Sequence, residues 1–174
     1  MDSLELISFA DARLKKKPTP FNFETDNASE LREKLLISMH KLGGIGLSAN
    51  QVGLDMAVFV IGKVGTADSE KAIFNPRLLN VSDEKITMRE GCLSFPNLWI
   101  SIKRPRGAIL EYQDETGKTV VEEFKGVSAR VVLHEFDHML GQNFTMRASK
   151  LKIARALKGI DKKVKTITRR KTNV

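Results

Sequence analysis

Apolar positions along this chain change period several times, and each change marks an element. Leu31, Leu35, Met39 and Leu42 recur three or four residues apart, the spacing of one helix face. Asn27 precedes them as an N-cap with Glu30 as its capping-box partner, and Gly43-Gly44 closes the segment. Residues 56–61 form an apolar, β-branched run that predicts a buried strand. Further strands are expected within 71–79, ending near Asn75-Pro76, and over 85–88. A hairpin is expected from 108–112 and 120–124 around the turn Asp114-Glu115-Thr116-Gly117. Residues 11–24 read as an extended arm, 62–69 as a loop and 96–106 as a connecting stretch. Residues 129–140 contain neither Pro nor Gly and are mostly apolar; Gly126 and Ser128 offer a start and Gly141 a stop, so a buried helix is predicted. Near the end, Ile153, Leu157, Ile160, Val164 and Ile167 repeat at helical spacing, although Gly159 weakens that helix.

Composition narrows the picture. The length of 174 residues suits one core, and 41% apolar content can fill it. No apolar run is long enough to cross a membrane. Met1-Asp2-Ser3-Leu4-Glu5 carries acid and lacks a basic-then-apolar pattern, so neither a secretory signal nor a transit peptide is expected. The single cysteine excludes an internal disulfide and fits a reducing cytoplasm. The net charge of +8 is concentrated in residues 150–174, which hold ten Lys/Arg and one acid. Lys152, Arg155, Lys158, Lys162, Lys163 and Lys165 surround the terminal apolar stripe. A two-part organisation follows: a unit over 1–149 and a basic amphipathic helix and tail over 150–174. A solvated helix docked on the core is one reading of this tail, and attraction to nucleic-acid phosphates is the other.

The candidate chemistry lies in the predicted helix. His134-Glu135-Phe136-Asp137-His138 reads H-E-x-x-H. Residues four apart share a helix face, so both imidazoles can reach one divalent ion, with Glu135 beside it to hold a water and take its proton. Buried His and Glu hydrogen-bonded in a core are the bland alternative. A catalytic site of this type wants three protein ligands and an open position. Downstream of His138 the only carboxylate is Asp161, in a basic segment, and the remaining His40, far upstream, reads as a surface or capping group. The single cysteine, Cys92, is the other candidate ligand; a neighbouring divalent cation would hold it as thiolate. Gly44-x-Gly46 is weak as a motif by itself, and no Lys-Ser/Thr follows to make a phosphate loop.

Three motifs in order resemble the peptide deformylase family. They are Gly44-Ile45-Gly46-Leu47-Ser48-Ala49-Asn50-Gln51, Glu90-Gly91-Cys92-Leu93-Ser94, and His134 to His138 extended by Gly141. Ala10 to Leu14 and Asn75-Pro76 also look like the family's pattern, and the resemblance covers roughly residues 5–145. It implies an α+β fold, with mostly antiparallel sheets around a central H-E-x-x-H helix, an N-terminal helix and a basic C-terminal helix. It implies hydrolysis of the N-formyl group from the initiator methionine of new polypeptides, with release of formate. Cys92, His134 and His138 would bind the metal, typically Fe(II), with zinc, nickel or cobalt able to substitute. Glu135 would be general base and then general acid; the Gln51 amide and the Leu93 backbone N–H would stabilise the oxyanion; Gly46 would contact the substrate backbone. Ile45, Met88, Val127 and Val131 are the expected lining of the methionine pocket. Arg104 could pair with Glu90 and hold the Cys92 loop. Ribosome binding through the basic C-terminal helix and a monomeric state are further implications. Ser48 stands where the family usually has Ala, Leu133 where it often has Gln, and Trp99 where it often has Arg. An H-E-x-x-H peptidase, or a ribosome-binding protein on a catalytically dead scaffold, are the competing readings.

Overall fold

The structure is a computed structural model and describes residues 2–65 and 69–160. Seven strands and two long helices make the frame: α1 (Ala28–Lys41), β1 (Gly46–Ser48), β2 (Val58–Ile61), β3 (Lys71–Val81), β4 (Lys85–Cys92), β5 (Phe95–Pro105), β6 (Gly107–Gln113), β7 (Thr119–Lys125) and α2 (Gly126–Met139). Residues 150–160 form a further helix, α3. All strand pairings are antiparallel. A five-stranded sheet runs β1-β2-β3-β6-β7, and β4 pairs with β5 in a separate two-stranded sheet.

The five-stranded sheet lies between two helices. Val58 and Val60 of β2 join a core with Leu31, Leu35 and Met39 of α1. Phe59 and Ile61, the alternate residues, join a second core with Val131, Val132 and Met139 of α2. Both faces of β2 are covered, which is why this strand reads as an unbroken apolar run rather than an alternation. At the start of α1, the Asn27 side chain accepts from the Glu30 N–H at 3.0 Å, as its sequence predicts. Leu42 lies beyond the helix as its C-cap and is exposed, so it does not extend the stripe.

Three expectations are corrected. The stretch 96–106 is no connection: all but its last residue belongs to an eleven-residue strand, β5 (Phe95–Pro105). Its alternation is regular: Leu98, Ile100, Ile102 and Arg104 are buried, while the residues between them face out. Pro96 and Pro105 at its ends disguise it, yet both sit where a strand tolerates a missing N–H. β3 does not stop at Asn75-Pro76; it continues to Val81 through a register shift, with Asn75 at φ 50°. A bulge is one of the few places a strand accepts proline. The arm over 11–24 contains a 3-10 turn, Ala12–Lys15, capped by Asp11.

The small sheet has its own cluster, Leu98, Ile100, Ile102 and Phe144, which Ile153, Ala156 and Ile160 of α3 cover. Leu157 is exposed, so α3 docks through Ala156 where the sequence pattern placed Leu157. Val164, Ile167, Lys162, Lys163 and Lys165 lie outside the described residues.

Candidate active site

α2 leaves β7 directly and ends at Gly141, at φ 67°, where a Cβ would meet the Lys15 carbonyl oxygen at 2.7 Å. The helix therefore needs glycine there, both for its left-handed turn and for the arm packed against it. Along α2, residues 130, 134 and 137 form one stripe and 131, 135 and 138 the next, and the two stripes meet different surroundings.

The first stripe meets the small sheet. Glu90 of β4 is buried and accepts from four donors: Arg104 Nε (2.7 Å) and Arg130 Nη1 (2.6 Å) on Oε1, and Arg104 Nη2 (3.0 Å) and His134 Nδ1 (3.1 Å) on Oε2. Arg104 Nη1 also donates to Asp137 Oδ2 at 2.8 Å, and Arg147 donates to the same Asp137 carboxylate. Burial pushes the Glu90 carboxyl up, but the bonds from His134, Arg104 and Arg130 outweigh it and hold it down at about 2. The pairing of Arg104 with Glu90 matches the sequence expectation. Arg130 and Arg147 were not anticipated, although an arginine inside the apolar run Val127–Leu133 was a visible signal of a buried partner.

Cys92 ends β4 and approaches α2 from the small sheet. Its Sγ lies 3.5 Å from His138 Nε2, and one ligand atom each from Cys92, His134 and His138 fall within 4.8 Å of one another. Because His134 Nδ1 faces Glu90, that nitrogen carries the proton and Nε2 is left for the thiol side. Burial lowers the His134 pKa, but the Cys92 and Glu90 bonds and the nearby Glu135 charge raise it further, to about 10. The position thus favours a positive charge, which a divalent ion would supply in place of the proton. Burial, and then the charges of His134 and Arg104, push His138 down to about 3, so it stays neutral, as a metal ligand must. His138 Nδ1 is buried without a hydrogen-bond partner among the described residues. One cysteine sulfur and two imidazoles close together, on a cation-favouring spot, fit a divalent transition metal.

Val131 and Glu135 of the second stripe face a cavity of about 790 Å³, which Arg130 and His134 of the first stripe also line. Glu135 is buried, and Ser48 Oγ donates to its Oε2 at 2.5 Å. Burial raises the Glu135 pKa, opposed by the His134 charge and the Ser48 bond. The other oxygen, Oε1, lies against Gly46: a Cβ there would collide with it and come within 2.9 Å of Val131 Cγ1. Gly46 is therefore needed for space. Gln51 sits on the 3-10 turn Ala49–Val52, where the Ser48 N–H donates to its Oε1 at 2.9 Å. That bond assigns the amide orientation, and Nε2 points to Ser94 Oγ (3.0 Å) and Cys92 Sγ (3.3 Å). Gln51, Cys92, Leu93, His134 and Glu135 all line the cavity, with Ile45, Gly46 and Val131. Met88 and Val127 are not among its lining residues: Val127 is 40% exposed at the start of α2, and Met88 lies further back along β4, opposite Ile102. Trp99 stands exposed at the rim, with the Arg89 guanidinium 5.9 Å from its ring centre.

The sequence profile described as polypeptide deformylase matches residues 3–154. A peptide deformylase of Thermotoga sp. (strain RQ2) is 36% identical over 133 residues, covering 76% of this chain and 79% of its own length. A peptide deformylase of Hydrogenovibrio crunogenus is 32% identical over 164 residues, covering 94% of this chain and 96% of its own. The crystal structure of a peptide deformylase from Synechococcus elongatus in complex with actinonin superposes with a TM-score of 0.82 at 28% identity, covering 90% of this chain and 85% of that one.

Proposed function

The chain belongs to the polypeptide deformylase family, and on that premise we propose that it hydrolyses the N-formyl group of formyl-methionyl nascent polypeptides, releasing formate. The observation that carries this reading is the meeting of Cys92, His134 and His138, of which Cys92 and His134 line a cavity that also presents Glu135 and Gln51. Cys92, His134 and His138 would hold one divalent ion, which when bound supplies a Lewis acid that polarises the formyl carbonyl and acidifies water. Thiolate and imidazole donors suit Fe(II), with zinc, nickel or cobalt as substitutes.

The remaining steps belong to the chain's own groups. Glu135 Oε1, the oxygen not engaged by Ser48, takes a proton from the attacking water as its oxygen bonds to the formyl carbon. The Gln51 Nε2 amide and the Leu93 backbone N–H donate to the oxygen that becomes negative, at ~3–4 kcal/mol for a well-placed donor. Glu135 then returns the proton to the amine nitrogen, the C–N bond breaks, and formate and a free amino terminus leave. Of the residues lining the cavity, Ile45 and Val131 would surround the methionine side chain, and Gly46 would contact the substrate backbone.

The test is formate release from formyl-Met-Ala-Ser by anaerobically purified protein, with metal analysis. Turnover that a chelator abolishes and Fe(II) restores is expected. Metal-loaded protein that releases no formate, or turnover indifferent to the chelator, overturns the reading.

We take residues 1–149 as the catalytic unit and 150–174, with ten Lys/Arg and one acid, as a basic second part. Lys150, Lys152, Arg155 and Lys158 are exposed on α3, a surface suited to ribosomal RNA phosphates. Truncation after Ser149 is expected to weaken salt-sensitive ribosome binding; equal affinity with and without the tail counts against it. Among the described residues no helix is long and apolar enough to cross a membrane. A monomer working in the cytoplasm completes the reading.

A further inference from the structure

Ser48, the residue before the Gln51 turn, bonds in two directions: with Gln51 it forms the capping box that opens the turn, and its hydroxyl also reaches Glu135. Ser48 is fully buried at the end of β1. Its backbone N–H fixes Gln51 Oε1, which any residue at this position could do. Its hydroxyl does something only a hydroxyl can: it donates to Glu135 Oε2 across 87 residues of sequence. The two oxygens of Glu135 are thereby made unequal. Oε2 is tied to β1, and Oε1 lies against Gly46 in the same strand, on the cavity side. A carboxylate on a flexible side chain could otherwise rotate about its last bond, since such terminal torsions are broad.

We propose that Ser48 is a positioning residue for proton transfer, its hydroxyl clamping one oxygen of Glu135 so that the other faces the attacking water. The clamp rests on the assignment of Glu135 as the proton-transfer group. It is a property of this chain's own sequence, because the family pattern usually has alanine at this position, and an alanine offers no donor. The clamp also joins β1 to α2, so the base is positioned by the strand that forms the cavity wall rather than by its own helix alone.

The experiment is a double-mutant cycle on the metal-loaded protein, with Ser48→Ala, Glu135→Gln and the two combined, assayed on formyl-Met-Ala-Ser. Ser48→Ala is expected to lower kcat on the order of tenfold, the scale of one lost charge-assisted bond, with KM and metal content unchanged. In the Glu135→Gln background the same substitution should have no further effect on kcat. A second readout needs no turnover: in urea unfolding of the metal-free protein, Ser48→Ala should lower the midpoint in the parent and less so in a Glu135→Ala background. Unchanged kcat in Ser48→Ala, or an equal fall in both backgrounds, overturns the clamp alone. Absence of formate release by the wild-type protein overturns the deformylase reading and the clamp with it.

Discussion

The two stripes of α2 divide the labour of one helix. On the small-sheet side, Glu90, Arg104, Arg130, Asp137 and Arg147 form a dense ionic knot in which Glu90 alone accepts four bonds. On the cavity side, Glu135 has the single Ser48 bond, and its other oxygen lies against Gly46. Every charge in the knot has a partner, so it holds geometry and is unavailable for chemistry. Glu135 is buried with too few partners to be comfortable as an anion, and a base able to take a proton must be left in that condition. Stability and reactivity are separated by one step around the helix.

That contrast can be broken from either side. The largest effect is expected from Glu135→Gln, which should lower kcat by about 10²–10⁴-fold while leaving bound metal and unfolding midpoint near the parent values, measured by formate release and metal analysis. Arg104→Ala should invert the pattern. It leaves Glu90 and Asp137 buried and short of donors, and a loss of about 3–5 kcal/mol in urea unfolding is expected, with weakened metal retention following from the released Glu90–His134 contact. Intact stability, metal content and activity in that variant would show the knot to be dispensable. The smallest effect marks the baseline. Arg106 and Glu84 also form an ion pair, at 2.8 Å, but both are more than half exposed, and Glu84→Gln should change stability by no more than about 0.5 kcal/mol.

Much of this arrangement could be read from the residues. Asn27 and Glu30 announced the start of α1, Asp114 to Gly117 the hairpin, and His134-x-x-x-His138 the face that meets Cys92, because each signal is local and its period matches its element. β5 was hidden because Pro96 and Pro105 resemble loop residues until their place at a strand's ends is known, although Leu98, Ile100 and Ile102 alternate cleanly. The continuation of β3 past Asn75-Pro76 depends on a bulge that no periodicity records. The partners of Asp137 and the presence of Arg130 in the knot are long-range facts: they require β4, β5 and α2 to be packed before the charges can be matched. Met88 and Val127 are apolar and close in sequence to site residues, which says nothing about which side of the wall their side chains occupy.

The Glu90 carboxylate also acts as a splice between distant parts of the chain. It ties the strand that ends in Cys92 to the helix that bears both imidazoles, using protein groups alone. The candidate ligands thus share one anchor, and a change at that single carboxylate reaches both of the elements that carry them.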